Sequence, residues 1–431
     1  MLRFVLYLPY LLLVIPKTSY AQTIDSGDTA WMLTSTVLVL FMTLPGLALF
    51  YAGLVRRRNV LSVLMQCFTI ACIASLVWII YGYSLAFKGD GLFIGDMSAL
   101  FLTGISKDSL SGTIPETVFI MFQMTFAIIT PALVVGAFAE RMKFGAMCVF
   151  SFLWLTFVYI PTCHMVWGGG ILAEMGVIDF AGGLVVHVTC GIGALVAAII
   201  LGPRKGFPEI VMPPHNRTMV VIGAAMLWIG WFGFNAGSAV VADTGAGMAM
   251  LVTHISAALG ALTWISIEWI KQGKPTVIGI ATGMVAGLAT ITPAAGNVGP
   301  QGAILIGISA GLICFYATQA IKGFFKIDDS LDVFPVHGVG GMLGLVMLCF
   351  VGMENGFLGS GATGLSEIAA GNPLKQLTIQ LKGILLIGLW TAAASWIILK
   401  TIGLFTDLRV TEEEEYEGLD KSLHDETGYN L

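Results

Sequence analysis

The sequence predicts an all-α membrane protein of eleven transmembrane helices, with a five-plus-five inverted repeat and an additional eleventh helix. Three observations carry that reading: the composition, the spacing of the apolar runs, and the uneven distribution of basic residues between alternate loops. Of 431 residues, 57% are hydrophobic and only 11% charged. A soluble domain carries about 25% charged residues, so a soluble chain this apolar would lack the polar side chains to cover its surface. The 53 glycines fit helices that approach closely in lipid, where no hydrophobic force drives them together. The net charge of −5 is unevenly placed, and no basic patch suits a nucleic-acid partner.

The first segment, residues 1–21, reads as a signal peptide. Arg3 precedes an apolar run from Phe4 to Ile15, then Pro16 and Ser19-Tyr20-Ala21. A basic start, a short apolar core and small residues two apart are the marks of a secretory leader. The alternative is an uncleaved signal anchor. Cleavage after Ala21 would leave the mature N-terminus outside. Residues 22–404 form the membrane domain, and 405–431 a cytoplasmic tail.

Within the membrane domain, apolar runs between charged or Gly/Pro-rich breaks place spans at 30–54, 61–85, 115–138, 144–163, 180–202, 218–240, 246–268, 276–292, 301–321, 333–352 and 380–404. Runs of about 20 apolar residues are long enough to cross a bilayer as helices. With the N-terminus outside, the inner loops and tail hold Arg56, Arg57, Arg58, Arg141, Lys143, Arg204, Lys205, Arg217, Lys271, Lys274, Lys322, Lys326, Lys400, Arg409 and Lys421. The outer loops and ends hold Lys88, Lys107, Lys375 and Lys382. That is 15 against 4, and Arg3 and Lys17 of the leader complete the 21 basic residues. Basic residues favour the cytoplasmic side, so the bias supports an odd number of spans.

Three short echoes point to an internal repeat. Phe50-Tyr51-Ala52-Gly53 in the first span resembles Phe234-Asn235-Ala236-Gly237 in the sixth. Ile129-Thr130-Pro131-Ala132 in the third resembles Ile291-Thr292-Pro293-Ala294 in the eighth. Val186-His187 in the fifth resembles Val336-His337 in the tenth, each histidine having Gly at +4 and Leu-Val at +8 and +9. Partners five spans apart must be inverted in the membrane, an arrangement that puts a substrate path at the repeat interface.

The polar residues inside the spans then become candidates. His187 and His337 lie deep in matched spans and should approach across the pseudo-two-fold axis, sharing one proton between facing ring nitrogens. Intramembrane ionisable groups are costly and usually functional, although a hydrogen-bonded pair of core histidines is the plainer alternative. No second His stands at helical spacing from either, and the seven cysteines form no C-x-x-C pair, so neither a metal nor a cofactor is expected. Asp179, just ahead of the fifth span, is placed to cap its helix and to add negative potential near a pore mouth. Phe122 and Phe126 lie one turn apart in the third span. Trp231, Phe234 and Ser238 share a face of the sixth, and Trp167 stands in a Trp167-Gly168-Gly169-Gly170 turn. Aromatic faces attract cations, but singly each is explained by packing or lipid contact. The tail carries Glu412, Glu413, Glu414, Glu415, Glu417 and Asp420, a solvated acidic run or a docking surface.

These motifs together resemble the Amt/Rh ammonium transporters. The resemblance rests on Phe122-Gln123 with Phe126, Ala139-Glu140-Arg141, Trp167-Gly168-Gly169-Gly170, Asp179-Phe180-Ala181-Gly182-Gly183 with His187, Trp231 to Ser238, and Asp332-Val333-Phe334 with His337-Gly338. It covers nearly the whole chain after the leader. It implies eleven helices, a homotrimer in a bacterial inner membrane, and one pore per subunit. It also implies an outer cation site at Phe126, Trp167 and Ser238, to which Phe122 is added here, and a phenylalanine gate at Phe126 and Phe234. The pore is then His187 and His337 with Trp231, and Asp179 is the supporting carboxylate. Trp167 and Ser238 favour the Amt branch over Rh. A PII-type signalling protein is the implied partner at the cytoplasmic face.

The cargo fits the residues. Leaving water costs a bare cation several kcal/mol or more, and no acid in the pore set could offset it. Ammonium avoids that cost by giving up its proton, which potassium cannot do. The proton could be relayed by the His pair or returned outside. An enzyme reading has no nucleophile, metal set or cofactor loop to support it. An ammonium sensor signalling through the tail remains as the alternative, against which stands the lack of an appended signalling domain after the last span.

Overall fold

The computed structural model describes residues 23–352, 369 and 371–429; the expected leader, 1–21, lies outside the described residues. Eleven helices among them are long and apolar enough to cross a membrane: α1 Ser26–Leu54, α2 Arg57–Phe87, α3 Glu116–Phe138, α4 Phe144–Glu174, α5 Gly183–Leu201, α6 Arg217–Ala239, α7 Thr244–Gln272, α8 Val277–Ala294, α9 Pro300–Phe324, α10 Phe334–Val351 and α11 Pro373–Phe405. Two short helices, α12 (Glu412–Glu417) and α13 (Leu419–His424), form the tail. A small hairpin, β1 (Leu110–Ser111) with β2 (Ile114–Pro115), sits in the loop before α3.

Most boundaries fall within four residues of the sequence reading. The largest differences are at α4 and α11. The Trp-Gly-Gly-Gly run suggested an early end to α4, yet helix continues through Trp167 before a break and a further turn at Ile171–Glu174. His164 holds that end, its two ring nitrogens lying 3.0 and 2.5 Å from the carbonyls of Ala86 and Gly91. At α11 the sequence reading starts the span at 380, beyond Lys375. Instead the Asn372 side chain accepts the N–H groups of Leu374 and Lys375, and Pro373 fills the first turn, where its missing N–H costs nothing.

The inverted repeat is visible in the packing. α1 and α6 run antiparallel with small residues at the seam. Cβ atoms placed on Gly46, Gly53, Gly223, Gly230 and Gly233 would fall within 3.2 Å of atoms of the opposite helix, and Gly53 meets Val220 while Gly230 meets Met42. α3 is the most enclosed span.

At the end of the bundle where the tail lies, buried charges tie the elements together. Glu140 accepts from the Arg56 guanidinium at 2.9 Å and from Arg204 at 2.7 Å, and Arg204 also donates to both oxygens of Asp328. Burial opposes ionisation of Glu140 and Asp328, but the arginines outweigh it: Glu140 is held below the usual carboxylate range and Asp328 at about 2. Pairs of this kind destabilise strongly when one partner is removed, because a charge is left buried alone.

The tail is not simply a solvated acidic run. Glu415 is buried, accepting the Lys205 N–H at 2.8 Å and an Arg409 N–H at 2.7 Å. Asp420 accepts the Ser62 N–H at 2.7 Å, and the Leu419 N–H donates to Asn59. Thr411 and Glu414 close a capping box at the start of α12. Glu412, Glu413, Tyr416 and Glu417 remain exposed. The sequence showed the charge of this segment but not the backbone donors that face it.

Candidate functional site

The two histidines lie on the first turns of α5 and α10, and both turns are widened π turns, Gly183–Val188 and Phe334–Gly338. Such turns recur at functional sites, and neither was legible in the sequence. Within them the Nδ1 atoms of His187 and His337 lie 3.3 Å apart, with ring centroids 5.2 Å apart and planes inclined by 29°. The glycines four residues beyond each histidine permit this approach. A Cβ on Gly191 would stand 2.4 Å from the Gly338 Cα, and one on Gly341 would stand 2.7 Å from the Gly183 carbonyl and 3.0 Å from the His187 Cβ. The spacing noted in the sequence therefore has a mechanical reason: it lets the two helix starts cross close enough for the rings to meet. His187 Nε2 is buried and has no partner among the described residues.

Both helices are capped by a carboxylate eight residues before the histidine. Asp179 accepts four backbone N–H bonds, from Gly182, Gly183, Leu184 and Val185, at 2.6–3.1 Å. Its oxygens are fully engaged, so it holds the start of α5 and its carbonyl accepts the Trp167 indole N–H at 2.8 Å. The counterpart on α10 is Asp329, which the sequence reading missed although the repeat of the eight-residue spacing signalled it. Asp329 accepts the Phe334 N–H at 2.7 Å. Burial first, and then the neighbouring Asp332, raise its carboxyl to about 6.

On one side of the pair stands a column of rings. Trp167 is the last residue of a helical segment rather than part of the turn, because that segment continues to it. Its ring meets Phe126 edge-on at 5.8 Å. Phe126 lies 4.4 Å from Phe234, Phe234 lies 6.0 Å from His187, and Trp231 stacks on His187 at 5.5 Å. The Trp231 indole N–H donates to Thr292 at 3.0 Å, so its edge is fixed and its face is left toward the histidine. Phe122 packs edge-on against Phe126 at 5.1 Å and is fully buried. Ser238 lies past the α-helical part of α6, in a 3-10 turn at Gly237–Ala239. Its hydroxyl donates to the Phe234 carbonyl at 2.8 Å, leaving the oxygen lone pairs to accept.

Beside the histidines is a cavity of about 10 Å³, lined mainly by Phe50, Ile129, Leu133, Val186, Leu227 and Val285 with the two imidazoles. A site that small holds roughly one water-sized molecule. A larger cavity of about 200 Å³ lies on the other side of His337, bounded by Tyr51, Ser330, Asp332 and Lys322. The last two form an ion pair at 2.8 Å. The sequence reading did not single out Lys322 or Asp332 as lining groups, since both stand outside the apolar runs. It also passed over Cys190, three residues after His187, which comes near both imidazoles.

Comparison with known proteins completes the picture. A family model described as Ammonium Transporter Family matches residues 30–429. An ammonium transporter from Aquifex aeolicus is 44% identical, with 99% of each chain covered. One from Bacillus subtilis is also 44% identical, over 94% of this chain and 98% of the relative. Among solved structures, the crystal structure of Saccharomyces cerevisiae Mep2 superposes with a TM-score of 0.81 at 35% identity, covering 96% of this chain and 95% of that one.

Proposed function

The chain belongs to the Ammonium Transporter Family, and from that premise we propose a route for the ammonium that this multi-pass membrane protein transports. Ammonium is recruited where the faces of Phe126 and Trp167 and the accepting oxygen of Ser238 offer cation–π and hydrogen-bond contacts. Phe122 acts here as the packing support of Phe126. At this level the ion gives up its proton, which is handed inward to the His187–His337 pair, and ammonia passes between Phe126 and Phe234. It then moves past Trp231 and along the His187–His337 pair into the wider cavity beyond. Asp179 supports the route by fixing the start of α5 and the Trp167 indole.

The observation that carries the reading is the pair of imidazoles, 3.3 Å apart, in a space of about 10 Å³ with otherwise apolar walls. A neutral molecule that accepts and donates hydrogen bonds is stabilised there. A hydrated ion does not fit, and a bare one would lose several kcal/mol of hydration without a counter-charge. The 3.3 Å contact also supports passage of the proton between the rings, which makes transport electrogenic. The sensor alternative is not favoured, because the matched family and the curated relatives are ammonium transporters.

Current recording from liposomes containing the purified protein, under an ammonium gradient, tests the route. We expect an ammonium-dependent current, and in Ser238→Ala and Trp167→Leu a half-saturating concentration raised several-fold with a smaller change in maximal current. Equal half-saturation in all three proteins would remove the outer site from the route.

The reading further includes a cytoplasmic tail, a periplasmic mature N-terminus after removal of residues 1–21, and an inner-membrane location. The support is the 15-to-4 bias of basic residues, which favours the cytoplasmic side. A homotrimer and a PII-type partner are included on the family resemblance. The exposed Glu412, Glu413, Tyr416 and Glu417 are suited to meet such a partner. A cysteine introduced at 417 should be labelled by an impermeant thiol reagent only after the cells are opened. Labelling from outside intact cells would reverse the orientation.

A further inference from the structure

Cys190 has no part in the route above, yet it sits in the middle of it. It follows His187 by three residues, on the same side of α5, and its thiol lies 3.4 Å from the His187 carbonyl. One ligand atom from each of His187, Cys190 and His337 lies within 4.8 Å of the other two, and all three residues are buried. Among the described residues no other group of three or more potential ligands is gathered in this way. The Nδ1 atoms are 3.3 Å apart, the separation expected of two nitrogens each about 2 Å from one ion at close to the tetrahedral angle. His187 Nε2, buried and without a partner among the described residues, carries the ring proton when Nδ1 turns its lone pair to an ion.

We propose that His187, Cys190 and His337 form a binding site for a soft monovalent d10 cation, copper(I) or its redox-inert counterpart silver(I), and that an ion held there closes the ammonium path. Thiolate and imidazole are the ligands such ions select. Charge argues for a monovalent ion. Thiolate plus a monovalent cation is neutral overall, whereas zinc(II) would leave a net positive charge among apolar walls with no carboxylate to offset it. Zinc also takes a fourth ligand in closed sites, and these three residues supply no other side chain. Entry is from the cavity of about 200 Å³ that His337 lines. On binding, the Cys190 S–H bond breaks, the sulfur–metal bond forms and one proton leaves to water; nothing is oxidised or reduced. Because both Nδ1 atoms then face the ion, which stands beside a space of only about 10 Å³, ammonia can no longer pass along the pair.

The test uses the full chain carrying Cys72→Ser and Cys148→Ser, which removes the exposed and half-exposed thiols. Silver nitrate in chloride-free buffer is titrated calorimetrically into the protein in nanodiscs, in two buffers of different ionisation heat. We expect one silver ion bound and one proton released per chain. In liposomes, Cys190→Ala and Cys190→Ser should conduct ammonium as the parent does without silver, showing that they fold. Both should lose silver inhibition by at least about tenfold, the scale of losing even an outer-shell partner of a metal ligand. Silver binding that is unchanged by both substitutions would overturn the site, as would zinc nitrate binding as tightly as silver. The proposal rests on the twin-histidine path only for its transport readout. A protein that binds silver through Cys190 but carries no ammonium would refute the route and leave the metal site standing.

Discussion

Phe234→Ala is expected to abolish ammonium uptake, or to lower it by at least about tenfold, a barrier change of about 1.4 kcal/mol or more, while the protein still folds and inserts. Phe234 joins the outer aromatic rings to the histidines. Its ring is 4.4 Å from Phe126 on one side and 6.0 Å from His187 on the other. Both phenylalanines are fully buried, so together they keep the path dry above the imidazoles. Removing the ring opens a space that polar neighbours will draw water into. An ammonium ion arriving there keeps its hydration and its proton, and the differential advantage of ammonia is lost. Truncating a buried phenylalanine costs about 3–5 kcal/mol of stability, so the assay must be paired with a check of folding by size-exclusion and thermal unfolding. Phe234→Leu, which keeps the site apolar, should retain part of the activity. Normal uptake kinetics in a folded Phe234→Ala protein would count against a gate at this position.

Much of this architecture was legible in the sequence, and the reasons are physical. A bilayer imposes a minimum length on apolar runs, so all eleven spans could be located from composition alone, and errors arose where a polar side chain extends a helix. His164 carried α4 further than its glycine run suggested, and Asn372 started α11 before its lysines. The histidine pair was legible because charge-bearing groups are rare in spans and because the repeat fixed which two must meet. Three features were not legible. The π turns that present the histidines depend on how α5 and α10 cross, and Gly191 and Gly341 show that dependence only when the opposite backbone is seen. Docking of Glu415 and Asp420 depends on N–H groups of Lys205 and Ser62, more than two hundred residues away in sequence. Cys190 was passed over because only a histidine was sought at helical spacing from His187, and its approach to His337 exists only across the repeat. Asp329 was different: its spacing to His337 repeats that of Asp179 to His187, and the signal was present in the chain.

The chemistry of the histidine pair gives the second large effect. Replacing His187 or His337 with aspartate places an anion in a path whose walls are otherwise apolar. A neutral imidazole offers ammonia hydrogen bonds but gives a bare cation little for its lost hydration. A carboxylate reverses that preference, because an opposite charge within a few ångströms in a low-dielectric site is worth several kcal/mol. The path then admits or traps cations as such, and the distinction between an ion that can shed a proton and one that cannot disappears. The measurement is the ratio of ammonium to potassium transport in liposomes containing the parent protein, His187→Asp or His337→Asp, under equal gradients of each ion. The parent should respond to ammonium and not to potassium. In the aspartate variants the ammonium rate should fall, or the ratio should drop by at least about tenfold, some 1.4 kcal/mol of discrimination. Unchanged rate and unchanged ratio in both variants would mean that the two histidines only pack against one another, and that ammonium crosses this protein by another path.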